Sequence, residues 1–440
     1  MTDPAPKRSR PLSLTAAIAL VVANMIGTGI FTTTGYTAAS VPGGAPILIA
    51  WALGGLIALC GAAVYGELGA LMPRAGGEYV YLSEAFRPWV GFLSGWVSLV
   101  VGFSAPIAAA ANAFGAYAGK SVGWVDPTAA GAVLIVAVTL LHAASVVVGA
   151  RVQTVFSLLK VGLILFFVVA GLLVGDGSAA NLTAGTGASA VTTGVFASSL
   201  VYISFSYSGW NAAAYVAGEI ERPQRNLPLA LLAGTAIVTL LYVGLNAVFL
   251  YAAPPSQMAG VKEVGELAAT RLFGSGMGRV LSGLIAFALV SSVSAMVMAG
   301  PRIYMAMAED GLFFKALARR NSGGAPVISV LVQGALALFL LFIARFDQLI
   351  NYIGFTLAIF ATLTVIAALV LRVKRPKAER PYRTLGWPVT PILFVGFNLW
   401  MIYFVVKMRP MECAAGAGTL IAGGLLFLFL GPSRRRAALG

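Results

Sequence analysis

Twelve long apolar stretches follow one another along this chain, separated by short polar segments. A helix needs about 20 mostly apolar residues to cross a bilayer, so each stretch is a candidate transmembrane helix. Only 10% of the residues are charged, whereas soluble domains carry about 25%. The sequence therefore predicts an all-α integral membrane protein. The predicted spans are Thr15–Ala39, Ala45–Met72, Trp89–Ala118, Ala129–Val148, Val152–Val174, Val191–Gly218, Pro228–Ala252, Gly278–Ala308, Pro326–Ile343, Leu349–Val373, Val389–Val406 and Cys413–Leu430.

The basic residues predict how these spans are oriented. Twelve spans place both termini on one side, and with that side cytoplasmic the inner segments hold 21 Lys and Arg against 7 in the outer segments. This asymmetry follows the positive-inside rule. The net charge of +14 is therefore interpreted as topology, not as nucleic-acid binding. The basic N-terminal segment lacks the apolar region of a signal peptide and is interpreted as a retained tail. We expect a multi-pass protein of the plasma (inner) membrane with cytoplasmic termini.

The first span contains the sequence NMIGTGIF at Asn24–Phe31. Each glycine inside a helix costs about 1 kcal/mol relative to alanine. The sixth span has a comparable interruption, SFSYSGWNAAAY at Ser204–Tyr215. Small residues also serve close helix packing. If spans one to five and six to ten are inverted repeats, however, spans one and six are equivalent, and paired interruptions at equivalent positions indicate a binding site near the membrane midplane. We therefore predict helix breaks at Gly27–Gly29 and Ser206–Asn211.

Lys160 is the one basic residue inside a predicted span. It lies about nine residues into span five, roughly 14 Å from the membrane surface at 1.5 Å per residue. At that depth an ammonium group needs carbonyls, water or a counter-charge. We predict a role coupled to transport, with a helix-tying role through backbone carbonyls as the alternative.

Several function classes are disfavoured by what the sequence lacks. Two cysteines, Cys60 and Cys413, cannot form a disulfide framework, and a single histidine, His142, cannot build most histidine metal sites. No nucleophile–base pair or metal cluster is visible within the spans, so neither an enzyme nor a bound metal or cofactor is expected. A channel or receptor is the alternative of a different class, but no continuous polar stripe of the kind that channels use is found.

Four segments together resemble the amino acid–polyamine–organocation (APC) superfamily, and most closely its L-type amino acid transporter branch. NMIGTGIF resembles the helix break of span one in that family. The other three matches are FSYSGWNAAAYVAGEIERPQRNLPLAL at Phe205–Leu231, RIYMAMAEDGLFFKAL at Arg302–Leu317 and ERPYRTLGWPVTPILF at Glu379–Phe394. Because the loop Gly119–Pro127 has no cysteine, the resemblance is to a stand-alone prokaryotic member without a disulfide-linked heavy subunit.

The resemblance implies a LeuT-like fold of 12 transmembrane helices. Two inverted repeats of five helices each would contain the broken helices 1 and 6, and two further helices would follow. The implied divisions are a cytoplasmic tail at 1–14, the first repeat at 15–174, an extracellular linker at 175–190, the second repeat at 191–373, a cytoplasmic loop at 374–388, the last two helices at 389–430 and a cytoplasmic tail at 431–440.

The resemblance also implies a site for an α-amino acid. The N–H groups of Thr28 and Gly29 would bind the substrate carboxylate, since a helix N-terminus favours anions. The carbonyls of Met25, Phe205 and Ser208 would bind the amino group, and Phe205 would act as a gate. The full implied set of substrate-binding residues is Met25, Ile26, Gly27, Thr28, Gly29, Phe205, Ser206, Ser208, Gly209 and Asn211.

Lys160 matches the span-five lysine of sodium-independent family members. Its ammonium would lie near the unwound part of span one, where sodium-coupled relatives hold a cation, and one fixed cation would repel another. Lys160 could stay protonated and mimic that cation, or it could titrate, because desolvation disfavours the charged form. The implied function is sodium-independent transport of neutral L-amino acids by alternating access, either as an exchanger or as a proton-linked symporter. A polyamine or cationic amino acid permease is the nearest alternative. It requires acidic residues in the pocket, and spans one, three, six, eight and ten offer almost none. The implied partners are the amino acid, the lipid bilayer and, in a symporter, protons.

Overall fold

The computed structural model describes residues 12–41, 43–144, 146–183 and 194–430, and for 146–157 and 198 it describes only the backbone. Most of the predicted N-terminal tail, part of the linker at 175–190 and the C-terminal tail at 431–440 lie outside the described residues. The described part of the chain is helical and contains no β-strand; its single β-bridge joins Leu12 to Ile220.

The helices are numbered in chain order. They are α1 Leu14–Met25, α2 Thr28–Ser40, α3 Gly44–Leu71, α4 Glu78–Ala85, α5 Pro88–Val97, α6 Ala105–Val122, α7 Pro127–Ala144, α8 Val146–Leu173, α9 Ala180–Thr183, α10 Gly194–Tyr207, α11 Ala212–Tyr215, α12 Pro223–Ala252, α13 Pro255–Met258, α14 Val264–Phe273, α15 Ser275–Ala299, α16 Pro301–Glu309, α17 Val327–Ile343, α18 Phe346–Lys374, α19 Val389–Met408 and α20 Pro410–Phe429. A π-helical segment, Ser98–Ser104, joins α5 to α6, and 3₁₀ turns lie at Ala217–Glu219 and Lys315–Ala318.

Each predicted span coincides with an apolar helix, and these helices fall into a longer and a shorter group. Within the described residues, nine helical stretches are long and apolar enough to cross a membrane. The other three predicted spans coincide with shorter apolar helices, Leu158–Leu173, Gly194–Tyr207 and Val327–Ile343. The number of twelve spans and the inverted repeat therefore remain predictions.

Both predicted helix breaks are present, but each is shorter than expected. In span one, only Ile26 and Gly27 leave the helix, because Thr28 already starts α2 behind an extended Gly27 (φ −135°). In span six, the break covers Ser208–Asn211. Ser206 remains helical and donates a hydrogen bond to the carbonyl one turn earlier. Beyond the second break, α11 has only four residues, so the second half of span six is not a regular helix.

The outer surface of the bundle is apolar, as a lipid-facing surface must be. Large side chains such as Leu240, Phe166 and Phe342 are more than 60% exposed. Inside the bundle, α12 packs along α3 and α1, and α10 packs against α2. These contacts bring the two interrupted segments, one from span one and one from span six, next to each other.

An ion cluster around Glu67 connects three parts of the chain at one end of the bundle. The Glu67 side chain is only 3% exposed and pairs with Arg372 at 2.6 Å and Arg380 at 3.2 Å. Its Oε2 also accepts hydrogen bonds from the Thr384 N–H at 2.8 Å and the Thr384 hydroxyl at 2.7 Å. The carboxylate thereby ties α3 to α18 and to the following loop.

We expect Glu67→Gln to destabilise the protein by about 3 kcal/mol, since removing one partner of a buried ion pair leaves uncompensated charge. Thermal unfolding of the detergent-solubilised protein measures the change. Glu84→Gln is the matched control, because Glu84 pairs with Arg375 on the surface, where both side chains are more than 40% exposed, and such pairs contribute little. Equal melting temperatures for the two variants would contradict the structural role of the Glu67 cluster.

Candidate functional site

The break in span one presents a helix N-terminus inside the bundle. Gly27 caps α2 without a side-chain hydrogen bond, so the first N–H groups of α2 have no intrahelical acceptor. Thr28 and Gly29 are both buried, at the start of a helix of 13 residues. Free N–H groups and the positive end of the helix dipole together favour an anion such as a carboxylate.

Gly29 allows α2 to lie directly against α10. A Cβ atom at position 29 would be 2.4 Å from the Cα of Ser206, which is far inside van der Waals contact. The contact continues one turn later, where the Thr33 and Ser206 hydroxyls are 2.7 Å apart. The close approach of α2 and α10 therefore requires glycine at position 29. This contact fixes the span-one break beside span six.

Lys160 binds the carbonyls that the same break releases. Its Nζ donates to the Ala23 carbonyl at 2.9 Å and also to the Ile26 carbonyl. Ser292 Oγ, from α15, lies 3.3 Å from Nζ and itself donates to the Ile26 carbonyl at 3.2 Å. Lys160 is only 1% exposed. The predicted contact between Lys160 and the unwound part of span one is thus present in the structure.

Tyr242 of α12 occupies the other side of the break. Its hydroxyl lies 2.5 Å from the Met25 carbonyl and 3.1 Å from the Ser206 carbonyl. The Phe205 carbonyl accepts the Ser208 N–H at 3.0 Å. Two of the carbonyls predicted to bind an amino group therefore already have one donor each, and the second lone pair of each oxygen remains for a ligand.

A cavity of about 130 Å³ lies beside the break in span six and has room for several water molecules. Of the predicted site residues, Phe205, Ser208, Gly209 and Asn211 line it, whereas Met25–Gly29 and Ser206 do not. The remaining wall comes from eight helical segments outside span six and from further residues of span six. Its residues are Asn24, Gly54, Ile57, Ala58, Glu78, Ser98, Gly102, Phe103, Pro106, Tyr207, Trp210, Ala212, Tyr215, Ser204, Met296, Ala299, Ile353, Gly354, Leu357, Ala358, Ala361, Phe394 and Asn398.

One wall of the cavity is the π-helical segment between α5 and α6. Ser98, Gly102 and Phe103 from this segment line the cavity. The Ser104 hydroxyl donates to the Leu99 carbonyl at 2.7 Å, one of the carbonyls that π-helical winding displaces. Single π turns inside α-helices are frequent at functional sites, which supports this cavity as the functional one.

Glu78 is the acidic residue of this cavity, and sequence reasoning missed it. It begins α4, outside the spanning helices, and its Oε1 accepts hydrogen bonds from Tyr65 at 2.6 Å and Asn211 at 3.0 Å. Burial raises the pKa of Glu78 to about 7, against the opposing effect of the hydrogen bonds from Tyr65 and Asn211. The nearest sequence signal is the glycine pair before it, because Gly76 and Gly77 both have positive φ and turn α4 back towards span six.

A second cavity, of about 530 Å³, is lined by charged residues. Three ion pairs join residues of its wall: Glu219 with Arg302 at 3.0 Å, Asp310 with Arg74 at 2.6 Å and Glu309 with Arg320 at 3.8 Å. His142 also lines it and is held by Ser294 at 2.8 Å. The basic residues of this wall belong to the segments that the charge count places on the cytoplasmic side. In the described part of the chain, no group of three or more His, Cys, Asp or Glu could hold a metal ion.

Comparison with known proteins gives consistent results. A family model described as "Amino acid permease" matches residues 12–418. The serine/threonine exchanger SteT of Bacillus subtilis is 29% identical over 439 residues, with 98% of each chain covered. The b(0,+)-type amino acid transporter 1 of Mus musculus is 27% identical, covering 96% of this chain and 88% of the relative. The large neutral amino acids transporter small subunit 2 of Mus musculus is 28% identical, covering 96% and 81%.

We expect Gly29→Ala to destabilise the protein by about 1–3 kcal/mol, the usual cost of overpacking, because its Cβ would overlap the Ser206 backbone. Gly27→Ala is the matched control: its Cβ would have no neighbour closer than 3.8 Å. Thermal unfolding in detergent compares the two variants. A Gly29→Ala protein as stable as Gly27→Ala would show that α2 and α10 do not pack as closely as described.

Proposed function

Because the chain belongs to the amino acid permease family of the APC superfamily, in its L-type branch, we propose that it is a sodium-independent secondary transporter of neutral L-amino acids. Its relatives are amino acid transporters and not enzymes. The transport would proceed by alternating access in a LeuT-like arrangement of twelve helices in two inverted repeats, with cytoplasmic termini in the plasma membrane. The observation that carries the proposal is the pair of helix breaks that α2 and α10 hold side by side.

The two breaks supply complementary groups for an α-amino acid. The first N–H groups of α2, from Thr28 and Gly29, suit the substrate carboxylate. The Ser208 carbonyl and the second lone pairs on the Met25 and Phe205 carbonyls suit the ammonium group. The substrate side chain would extend into the cavity that Phe205 borders, and Phe205 would act there as a gate.

Lys160 supports the proposed sodium independence. Its ammonium has three N–H donors and meets three oxygen acceptors, from Ala23, Ile26 and Ser292. Since the Ser292 hydroxyl hydrogen already points to the Ile26 carbonyl, its oxygen is an acceptor for Nζ. The acceptor set thus matches a charged ammonium, which occupies the place and the charge of a monovalent cation.

Two of these relatives also bear on coupling and on partners. SteT is named an exchanger, which favours obligatory exchange, while the carboxyl of Glu78 keeps proton-linked symport open. One relative is named a small subunit. We propose that this chain works without a disulfide-linked heavy subunit, because the loop Gly119–Pro127 offers no cysteine.

Uptake into proteoliposomes tests the proposal. Liposomes preloaded with an unlabelled neutral amino acid should accumulate the same labelled amino acid faster than empty liposomes. Replacing sodium with choline should leave the rate unchanged, because Lys160 stands in for the ion. Protein-free liposomes are the control. Strict dependence on sodium, or uptake of polyamines without uptake of any neutral amino acid, would contradict the proposal.

We expect Lys160→Ala to lower exchange by about tenfold or more. A hydrogen bond to a charged group contributes about 1.5–3 kcal/mol, and about 1.4 kcal/mol corresponds to a factor of ten in rate. Ser292→Ala is the matched control, since it removes one acceptor and leaves the lysine on both carbonyls; its loss should be smaller. Equal rates for Lys160→Ala and the unmodified protein, measured at equal protein density, would reduce Lys160 to a packing residue.

A further inference from the structure

Glu78 differs from the other deeply buried carboxylate, Glu67, in what surrounds it. Two arginines neutralise Glu67. Within the part of the chain that the structure describes, no Lys or Arg forms an ion pair with Glu78. Glu78 is 5% exposed and lines the cavity beside the span-six break. An isolated carboxylate in such a place is stable only while water solvates it or a proton neutralises it.

The groups that face Glu78 do not supply the missing positive charge. The hydroxyl of Tyr65 and the amide of Asn211 donate to it, and the hydroxyls of Tyr81 and Tyr215 lie near enough to interact with its charge. From α5, no titratable side chain is present between Pro88 and Val97. The cations at the end of α18 are bound elsewhere: Arg372 to Glu67, Lys374 to the Ala85 carbonyl and Arg375 to Glu84.

Glu78 is also linked directly to α11, the second half of span six, which lies beside the proposed site. The Asn211 amide that donates to Glu78 also donates to the Tyr215 hydroxyl at 3.0 Å, so one side chain joins the carboxyl to both ends of α11. The turn before Glu78 packs against the same element, since the Gly76 N–H donates to the Tyr215 carbonyl at 3.1 Å. A Cβ at Gly77 would be 2.4 Å from the Tyr215 ring. Any movement of the second half of span six therefore changes the surroundings of Glu78.

We propose that Glu78 is a proton-binding site of the transport cycle, ionised while the cavity holds water and protonated when the cavity closes around a bound amino acid. This rests on the proposed amino acid transport. Closing the cavity around a bound amino acid removes the water that solvates the carboxylate, and no protein cation replaces it, so this closure requires a proton. The empty cavity keeps its water and closes with Glu78 ionised, so that one proton crosses with the amino acid and none returns. The proton binds one carboxylate oxygen of Glu78 as the cavity closes and returns to water when the cavity opens on a side of lower proton concentration. Glu78 thereby links the inward and outward steps to pH.

The test uses the full-length protein in proteoliposomes, with the neutral amino acid found in the uptake panel. Homoexchange is measured at equal inner and outer pH between about 5.5 and 8.5, and net uptake is measured under an imposed pH gradient with a pH-sensitive dye inside. The exchange rate of the unmodified protein should fall as the pH rises through about 7, by up to about tenfold per pH unit. The pH gradient should drive uptake together with proton flux.

Glu78→Gln carries a permanently neutral side chain of the same shape, so its exchange should no longer fall with pH and its uptake should carry no protons. Glu84→Gln, on the same helix but on the surface, should keep both pH effects. Proton flux that persists in Glu78→Gln would overturn the proposal. So would a Glu78→Gln protein that keeps its pH dependence and loses only amino acids with a cationic side chain, because Glu78 would then bind substrate.

Tyr65→Phe keeps the test decisive where Glu78→Gln fails to fold. It retains the carboxyl and removes a donor that favours the charged form, so the pKa of Glu78 should rise and the midpoint of the pH profile should move to higher pH. An unchanged midpoint would overturn the assignment. Exchange by the unmodified protein without any pH effect would refute only the role of Glu78, whereas no exchange of any amino acid would refute the proposed function itself.

Discussion

The structure depends on one constraint: backbone groups released by a helix break inside an apolar bundle must find new partners. At Ile26 and Gly27 three side chains from three other helices meet this need. Lys160 of α8 binds the carbonyls of Ala23 and Ile26, and Ser292 of α15 also binds the Ile26 carbonyl. Tyr242 of α12 binds the Met25 carbonyl. On the other side, Gly27 provides no side-chain cap for α2, so the first N–H groups of this helix have no intrahelical acceptor. The break is therefore stabilised on its carbonyl side and left open on the side where a carboxylate would bind.

The position of the cavity follows from the same arrangement. Because Gly29 lets α2 lie against Ser206, the span-one break is fixed beside span six, and the irregular backbone of Ser208–Asn211 leaves the space that becomes the cavity. The π-helical segment at Ser98–Ser104 and the turn at Gly76–Gly77 close the opposite side. Two departures from regular helix and one glycine turn thus surround this cavity, and the apolar helices outside them separate it from the outer surface of the bundle.

The sequence predicted the features that are costly in a membrane and missed those that depend on long-range contacts. Glycines and a lysine inside apolar spans require an explanation, so both breaks and the need of Lys160 for polar partners could be predicted, while the contact of Lys160 with span one was implied by the family resemblance. The limits of the breaks could not, because only the packing shows that Thr28 and Ser206 remain helical. Tyr242 was missed because a tyrosine in an apolar helix is ordinary until its distant partner is known. Glu78 was missed because α4 is not a span, and the positive φ values of Gly76 and Gly77 place it in the cavity.

In the proposed transport cycle, Lys160 and Glu78 divide between them two tasks, cation substitution and proton binding, that the sequence analysis had assigned to the lysine alone. Three oxygens accept the three N–H donors of the Lys160 ammonium, so each donor has a partner, and in the proposed cycle the ammonium stays in place as the cation substitute. Glu78 has hydrogen-bond donors but no cation, so its charge is matched only by water or by a proton. A fixed cation substitute and a separate proton-binding group can therefore coexist in one transporter. In that arrangement sodium independence follows from Lys160, and any coupling to pH follows from Glu78.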